Sequence, residues 1–399
     1  MTTSRVEERL DALYAIGGGE GANRPALSAE ENAAHALAEG WMRAAGLETG
    51  ADAIGNLYGR LPGREPGLAE IWCGSHLDSV PRGGRFDGAL GVVAALEAIS
   101  RLEPGARTLT VVAFRDEEGW RFGEGFLGSR AVSGQLDATG LENADRDGVT
   151  VRDALAAGGH PFAPGDGWLV PAPAAFLEAH IEQGPVLAGK DAALGVVTSI
   201  VGILELQAVF AGAAGHAGTT PMGCRRDAAL CAAAFQVGAA AAARGIPDAV
   251  LTVGSAIAVE PGAANVIARR TTVRVDARAP DAGRVAALER AVCEAADAAA
   301  RMHDCEAQVH VTMRIDPAAC DPALRDVLGR ATAGAPSLPS GAGHDAQVLA
   351  RAGVPVAMLF VRSLNAGISH SPGESSSPED VAACVDALEV ALRELADRR

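Results

Sequence analysis

Residues 69–114, AEIWCGSHLDSVPRGGRFDGALGVVAALEAISRLEPGARTLTVVAF, decide how the chain is read. A largely apolar run from Ala69 to Ser75 has the length of one buried strand. The helix-length segment Ala89–Leu102 follows behind a glycine-rich turn, and Thr108–Phe114 is a second strand rich in β-branched residues. Strand, helix and strand in succession predict an α/β fold: a mixed, mostly parallel sheet with helices flanking it.

The same alternation extends outward on both sides. Glu30–Ala45 reads as a helix, and Gly140–Ala175, rich in Gly, Pro and Asp, reads as a surface connector with a short helix at Val151–Ala157. The pattern changes from Thr198. A strand (Ile200–Phe210), an alanine-rich helix (Arg226–Ala243), two strands (Ala249–Val259 and Asn265–Arg278), a helix (Ala282–Arg301) and a strand (Glu306–Met313) form the β-α-β-β-α-β order of a ferredoxin-like α+β unit. The α/β pattern then resumes with helices Pro322–Gly334 and Asp345–Ala352, strand Val354–Val361 and helix Pro378–Ala396. The chain therefore divides into a core of 1–198 and 314–399 interrupted by an inserted domain of 199–313.

Composition narrows the function. With 48% hydrophobic and 21% charged residues among 399, the chain is a folded globular protein. Fifty acidic against 34 basic residues give a formal charge of −16, and no basic run is present, which argues against nucleic acid as a partner. Seven cysteines, an odd number without a CxxC pair, point to reduced thiols and a cytoplasmic location. The opening segment MTTSRVEERLDALYAIGGGE lacks the apolar core of a signal peptide, and no stretch offers about 18 uninterrupted strongly apolar residues, so no membrane is expected.

Chemistry-bearing residues gather at strand ends. His76 and Asp78 are two apart at the end of an apolar strand, which puts both on one face, where Asp78 can hold the second ring proton of a metal-bound His76. A histidine merely satisfied by its neighbour would read the same. Asp87 lies in a glycine-rich turn before a helix, suited equally to capping that helix or to bridging two cations. Phe114-Arg-Asp-Glu-Glu118 places acids directly after a buried strand, either as a solvated loop or as ligand and proton acceptor at the carboxyl edge of the sheet. His180 and His370 lie in two further Gly/Pro-containing segments. The combined nitrogen and oxygen donors suit zinc, manganese, cobalt or nickel better than calcium.

The strings GSHLDSVPRGGRFDGALGV, FRDEEGWRFG, GSRAVSG, AHIEQGPVL, GHAGTTPM, GAGHDA and ISHSPGE, in that order, resemble the hydantoinase/carbamoylase branch of the zinc aminoacylase and carboxypeptidase superfamily. That branch includes N-carbamoyl-L-amino-acid hydrolases, β-ureidopropionases and allantoate amidohydrolases. The resemblance spans roughly residues 70–380 and implies a two-metal amidohydrolase. It implies that His76, Asp87 and His180 hold one ion, that Asp87, Glu118 and His370 hold the other, and that Glu117 is the general base. It assigns His216 to the oxyanion and Asn265 and Arg278 to the substrate carboxylate, with Gln183, Arg225 and His344 as weaker substrate contacts.

The expected enzyme acts on a small carboxylate-bearing molecule and forms a homodimer through 199–313, with that domain also serving as a lid. N-carbamoyl-L-amino acids lead as substrates, ahead of allantoate, then ureidopropionate and N-acyl amino acids or dipeptides. A non-catalytic scaffold on the same fold is the alternative of another class, and a full set of ligand positions speaks against it.

Overall fold

The computed structural model describes residues 2–165 and 167–398. The chain forms two compact units. One comprises residues up to Thr198, Cys320–Leu338 and those from His344 onward; the other comprises Ser199–Ala319 and Pro339–Gly343.

In the first unit, Ile71–His76 is buried at every position and pairs in parallel with Leu109–Phe114 on one side and Ala175–Ile181 on the other. Val356–Val361 adds a fourth parallel strand beside Ala175–Ile181. Antiparallel strands flank these four: Leu57–Leu61 and then Glu48–Ala51 at one side, Leu194–Ile200 at the other. The expected mixed sheet is thus parallel in its middle and antiparallel at its margins. A strand buried on both faces must be apolar throughout, which is why IWCGSH and LTVVAF lack the alternation of a half-exposed strand.

Helix Ala89–Ile99 packs on this sheet with all eleven residues buried. Each fully buried Val, Leu or Ile side chain there contributes about 1.5–3 kcal/mol. Its single charge, Glu97, pairs with Arg5, Arg9 and Arg101, so this buried carboxylate is not left unpaired. Helix Pro378–Ala396 covers the same face; it begins where Ser377 accepts the Asp380 amide, with proline in its first turn.

The second unit is a four-stranded antiparallel sheet in the order Glu306–Ile315, Gly202–Ala211, Arg270–Ala279, Val250–Glu260. Helices Ala228–Ala243 and Ala282–His303 pack together and on this sheet, enclosing a core that includes Phe210, Phe235, Val275 and Leu288. Besides the insertion read from the sequence, this unit takes in residues 314–319 and Pro339–Gly343. The outgoing and returning chain pair with each other, Ile200 opposite Ala318 and Ser199 opposite Ala319.

Two elements that carry candidate site residues differ from the sequence reading. Asn265–Arg278 is not one strand: Val266–Ile267 pairs with Gly215–His216, and the long strand begins only at Arg270. Ala175–Ile181, where the connector was expected to run out, is a central strand. Among the described residues no helix is long and apolar enough to cross a membrane, and all seven cysteines are free thiols.

Candidate metal centre

Parallel strands deliver their last residues and the loops beyond them to one edge of the sheet, the usual place for a ligand in an open α/β fold. His76 ends one strand, Asp116–Glu118 follow the next, and His180 comes one residue before the end of the third. Asp87 lies in the turn leading to helix Ala89–Ile99, and it does not cap that helix, whose first turn receives no side-chain bond. The turn presses onto the His76 ring: a Cβ at Gly88 would lie 2.4 Å from it, and φ there is +63°. Only glycine meets both conditions.

Asp87 is the centre of the cluster. Its Oδ1 lies 3.2 Å from His180 Nε2 and 3.7 Å from His76 Nε2, while Oδ2 lies 3.3 Å from His370 Nε2. Glu118 Oε2 is 3.3 Å from that same His370 nitrogen. The groups therefore form two triads that share Asp87, and within each triad the donor atoms lie within 4.8 Å of one another. Two donors bound at about 2.0–2.1 Å to one tetrahedral zinc would themselves be about 3.3 Å apart, close to these separations. The buried His76 Nε2 and Glu118 Oε1 have no hydrogen-bond partner among the described residues. Orphaned buried donors converging at ligand spacing fit a cation.

The supporting contacts fix each ring. His180 directs Nδ1 to its neighbour's carbonyl, Ile181 O, at 2.9 Å, leaving Nε2 for Asp87. His76 Nδ1 lies 3.2 Å from Asp78 Oδ1. The strand stops at His76, so a shared pleat does not create this contact; Asp78 is placed by accepting the Glu117 amide at 3.1 Å and the Glu118 amide at 3.2 Å. One carboxylate thus orients a ligand and anchors the acidic loop. Glu117 Oε2 approaches His76 Nε2 at 3.8 Å.

The charges are mutually dependent. Burial raises the Glu117 carboxyl well above its ordinary value against the pull of His76, with Glu118 adding to the rise. Glu118 rises to about 7 through burial and the nearby Asp87. Hydrogen bonds from His180 and His370 outweigh burial and hold Asp87 well below the usual carboxylate range, while the bond to Asp87 lifts His370 to about 9. Burial alone would lower His76, yet Glu117, Asp78 and Asp87 raise it.

Residues 72–394 match the peptidase family M20/M25/M40. Over 396 residues the chain is 38% identical to the N-carbamoyl-L-amino acid amidohydrolase of Geobacillus stearothermophilus, covering 96% of each. The chain belongs to this family. The allantoate amidohydrolase of Escherichia coli (strain K12) is 37% identical over 371 residues, covering 89% of this chain and 88% of that one. A crystal structure of an amidase of the hydantoinase/carbamoylase family from Burkholderia multivorans superposes with a TM-score of 0.91 at 32% identity, covering 99% and 98% of the two chains. M20 family members of this branch are metal-dependent hydrolases acting on carbon–nitrogen bonds, and this chain is one of them.

The remaining residues singled out in the sequence fall into three groups. Gln183 joins the metal cluster, donating to Asp87 Oδ2 at 2.9 Å and to Ser369 Oγ at 3.0 Å. His344 is buried, its ring 4.5 Å from that of His180, and it is kept neutral by burial. The helix it precedes directs the Ala346 amide to the Glu178 carboxyl at 3.0 Å.

In the second unit, His216 lies opposite Val266 in a short two-stranded ladder, and the next residue's amide, Ala217 N, donates to Asn265 O at 3.0 Å. His216 Nδ1 accepts the Gly218 amide at 3.1 Å, which leaves the proton on Nε2. Arg225 spends its guanidinium on the turn that follows His216, donating to the carbonyls of Thr220 at 3.0 Å and Ala217 at 2.6 Å. Arg278 forms a two-pronged contact with Asp276 at 2.9 and 3.1 Å, so in this structure a resident carboxylate takes its fork.

Sequence reading assigned nothing to Glu178, which bonds Ser75 Oγ at 2.8 Å, or to Glu374. An acid two residues before His180 on a wholly buried strand was the available signal for Glu178.

Proposed function

We propose that the protein hydrolyses an N-carbamoyl-L-amino acid, consuming one water and releasing the amino acid, carbon dioxide and ammonia. The observation carrying this reading is the pair of triads sharing Asp87, with the Glu117 carboxylate alongside. His76, Asp87 and His180 hold one divalent ion and Asp87, Glu118 and His370 the other. When bound, zinc, manganese, cobalt or nickel at such a pair acidifies a water and polarises the scissile carbonyl.

Glu117 accepts the proton of the attacking water and delivers it to the leaving nitrogen; its carboxylate, 3.8 Å from His76 Nε2, lies beside the first triad. Asp78 keeps His76 in the tautomer that offers Nε2. His216 donates its Nε2 proton to the developing oxyanion, and Arg278 and Asn265 bind the substrate carboxylate.

The working form is a homodimer through the inserted unit. Along strand Arg270–Ala279, Arg278 pairs opposite Ile203 and Arg270 opposite Ala211, while the short ladder beside His216 and Asn265 lies beyond the Arg270 end. Eight residues of antiparallel strand span about 27 Å. One chain's Asn265 and Arg278 are too far apart to grip one carboxylate, and a second copy can supply the missing member.

Allantoate is the second reading, favoured by the 37% identity to the Escherichia coli allantoate amidohydrolase. The test is a panel of N-carbamoyl amino acids, ureidopropionate, allantoate and N-acetyl amino acids, each run with manganese, zinc, cobalt or nickel. Highest kcat/KM on an N-carbamoyl-L-amino acid, with ammonia and amino acid released in equal amounts, is expected. Preference for allantoate or an N-acetyl compound would replace the leading reading.

A further inference from the structure

We propose that Glu374 is a positioning residue that ties the loop bearing Asp87 to the loop bearing His370 and so sets the geometry of the second triad. The inference rests on the metal-centre reading above. His76 and His180 are fixed by the sheet, but His370 is not: its side chain is 52% exposed and its φ is +51°. It sits in a surface loop pinned at its ends, where the Leu364 amide donates to Ser375 O at 2.7 Å and Asn365 Nδ2 donates to Gly373 O at 2.8 Å. Packing therefore does little to hold its imidazole toward Asp87.

Glu374 supplies that restraint from the buried side. One oxygen, Oε1, accepts the amides of Phe86 at 2.7 Å and Asp87 at 3.1 Å. The other, Oε2, accepts the Ser369 hydroxyl at 2.6 Å, and Ser369 precedes His370. Ser369 Oγ in turn receives Gln183 Nε2 at 3.0 Å and lies 3.4 Å from Asp87 Oδ2. A single carboxylate thus fastens the backbone beside one ligand and the residue next to another.

Its environment suits this use. Glu374 is only 6% exposed, and no arginine, lysine or histidine pairs with it among the described residues. A buried carboxylate without a cation is costly unless its lone pairs are filled. Here the donors that fill them belong to the two ligand loops. Room for it is made at Gly84, where a Cβ would lie 2.1 Å from Glu374 Oε1, although the backbone there is outside the left-handed region that favours glycine. Gly84→Ala therefore displaces the carboxylate without removing it and without straining the main chain.

The test titrates metal-free protein with Co²⁺, followed by visible absorption and by bound metal per chain, with melting temperature as a control. Wild type is expected to take two ions. Glu374→Ala should weaken the second ion at least tenfold, in the range seen when partners of metal ligands are removed, and affect the first less.

Glu374→Gln keeps an acceptor for the two amides and presents a donor to Ser369 Oγ, so it should stay near wild type. Gly84→Ala should reproduce the defect, while the double variant Gly84→Ala/Glu374→Ala should be no worse than either single one, because the methyl occupies the space that the carboxylate leaves. If Glu374→Ala does not fold, Gly84→Ala read in the same way decides.

Wild-type affinity for both ions in Glu374→Ala and Gly84→Ala would overturn the role of Glu374 while leaving the metal centre standing. A wild-type chain that takes up fewer than two Co²⁺ would overturn the metal-centre reading, and this proposal with it.

Discussion

Replacing Asp78 with asparagine exchanges one oxygen for an NH₂ group in a side chain that is 1% exposed, and its contacts set the expected cost. The native carboxylate accepts from three directions: His76 Nδ1 at 3.2 Å and the Glu117 amide at 3.1 Å on one oxygen, the Glu118 amide at 3.2 Å on the other. Asparagine can satisfy one side only. If its oxygen faces His76 and Glu117, its NH₂ opposes the Glu118 amide, leaving a buried donor unpaired at about 1–3 kcal/mol. If it flips, the NH₂ opposes the Glu117 amide and the imidazole, which is left with only the Asp78 carbonyl at 3.3 Å, and both Glu117 and His76 shift.

Removing such a partner typically weakens metal binding 10–100-fold, about 1.4–2.7 kcal/mol. Asp78→Asn should therefore bind zinc at least tenfold more weakly in a chelator competition and melt at a lower temperature, with turnover reduced even at saturating metal because the Glu117 loop has moved. Metal affinity within twofold of wild type together with unchanged turnover would refute the claim that Asp78 aligns both groups.

Three further predictions concern the base, the carboxylate contact and the pH dependence. Glu117→Gln should keep its full metal content and lose about 10²–10⁴-fold in kcat, the usual contribution of a positioned base; activity above a tenth of wild type would remove that role. Arg278→Ala should raise KM for carboxylated substrates and leave that for their amides unchanged, and equal effects on both would withdraw the contact.

In the metal-free chain, Glu118 is raised to about 7 and His370 to about 9, so both bind protons more tightly folded than unfolded. The stability they contribute is complete below the ordinary values of 4.5 and 6.5 and is lost as pH rises through about 7 and about 9. Chelator-treated protein should therefore melt at progressively lower temperature between about pH 6 and 9, while divalent affinity rises as proton competition fades; a flat profile in both would contradict this.

Much of the fold was legible because burial, periodicity and capping signals agree in many of its elements. Helix Val151–Ala157 has the span read from the sequence, and Pro378–Ala396 announces itself with Ser377 and a proline in its first turn. What escaped has physical causes. Ala175–Ile181 is wholly buried yet carries Glu178 and His180, so functional polarity interrupts the apolar run that would identify a central strand. Glu48–Ala51 and Leu57–Leu61 form a short hairpin at the sheet margin, each including a glycine, and give little pattern. The apolar stretch from Leu194 onward hides a break at Val201, where one unit's strand gives way to the other's.

At the site, ligand types could be read from local spacing, because His76, Asp87, Glu118, His180 and His370 all lie near strand ends or in glycine-containing loops. Side chains that act on distant backbone could not. Glu374 reaches Phe86 and Asp87 across most of the chain, and only the folded sheet edge brings them together. Arg278 and Asp276 share one face of their strand, a relation that period-two spacing permits but does not require.

Anomalous scattering from crystals of manganese- or zinc-loaded protein tests the central claim most directly. The expected map has two peaks about 3.5–4 Å apart, one among His76, Asp87 and His180, the other among Asp87, Glu118 and His370. An absence of peaks between these residues in protein that is active and metal-replete, or peaks among other side chains, would contradict it.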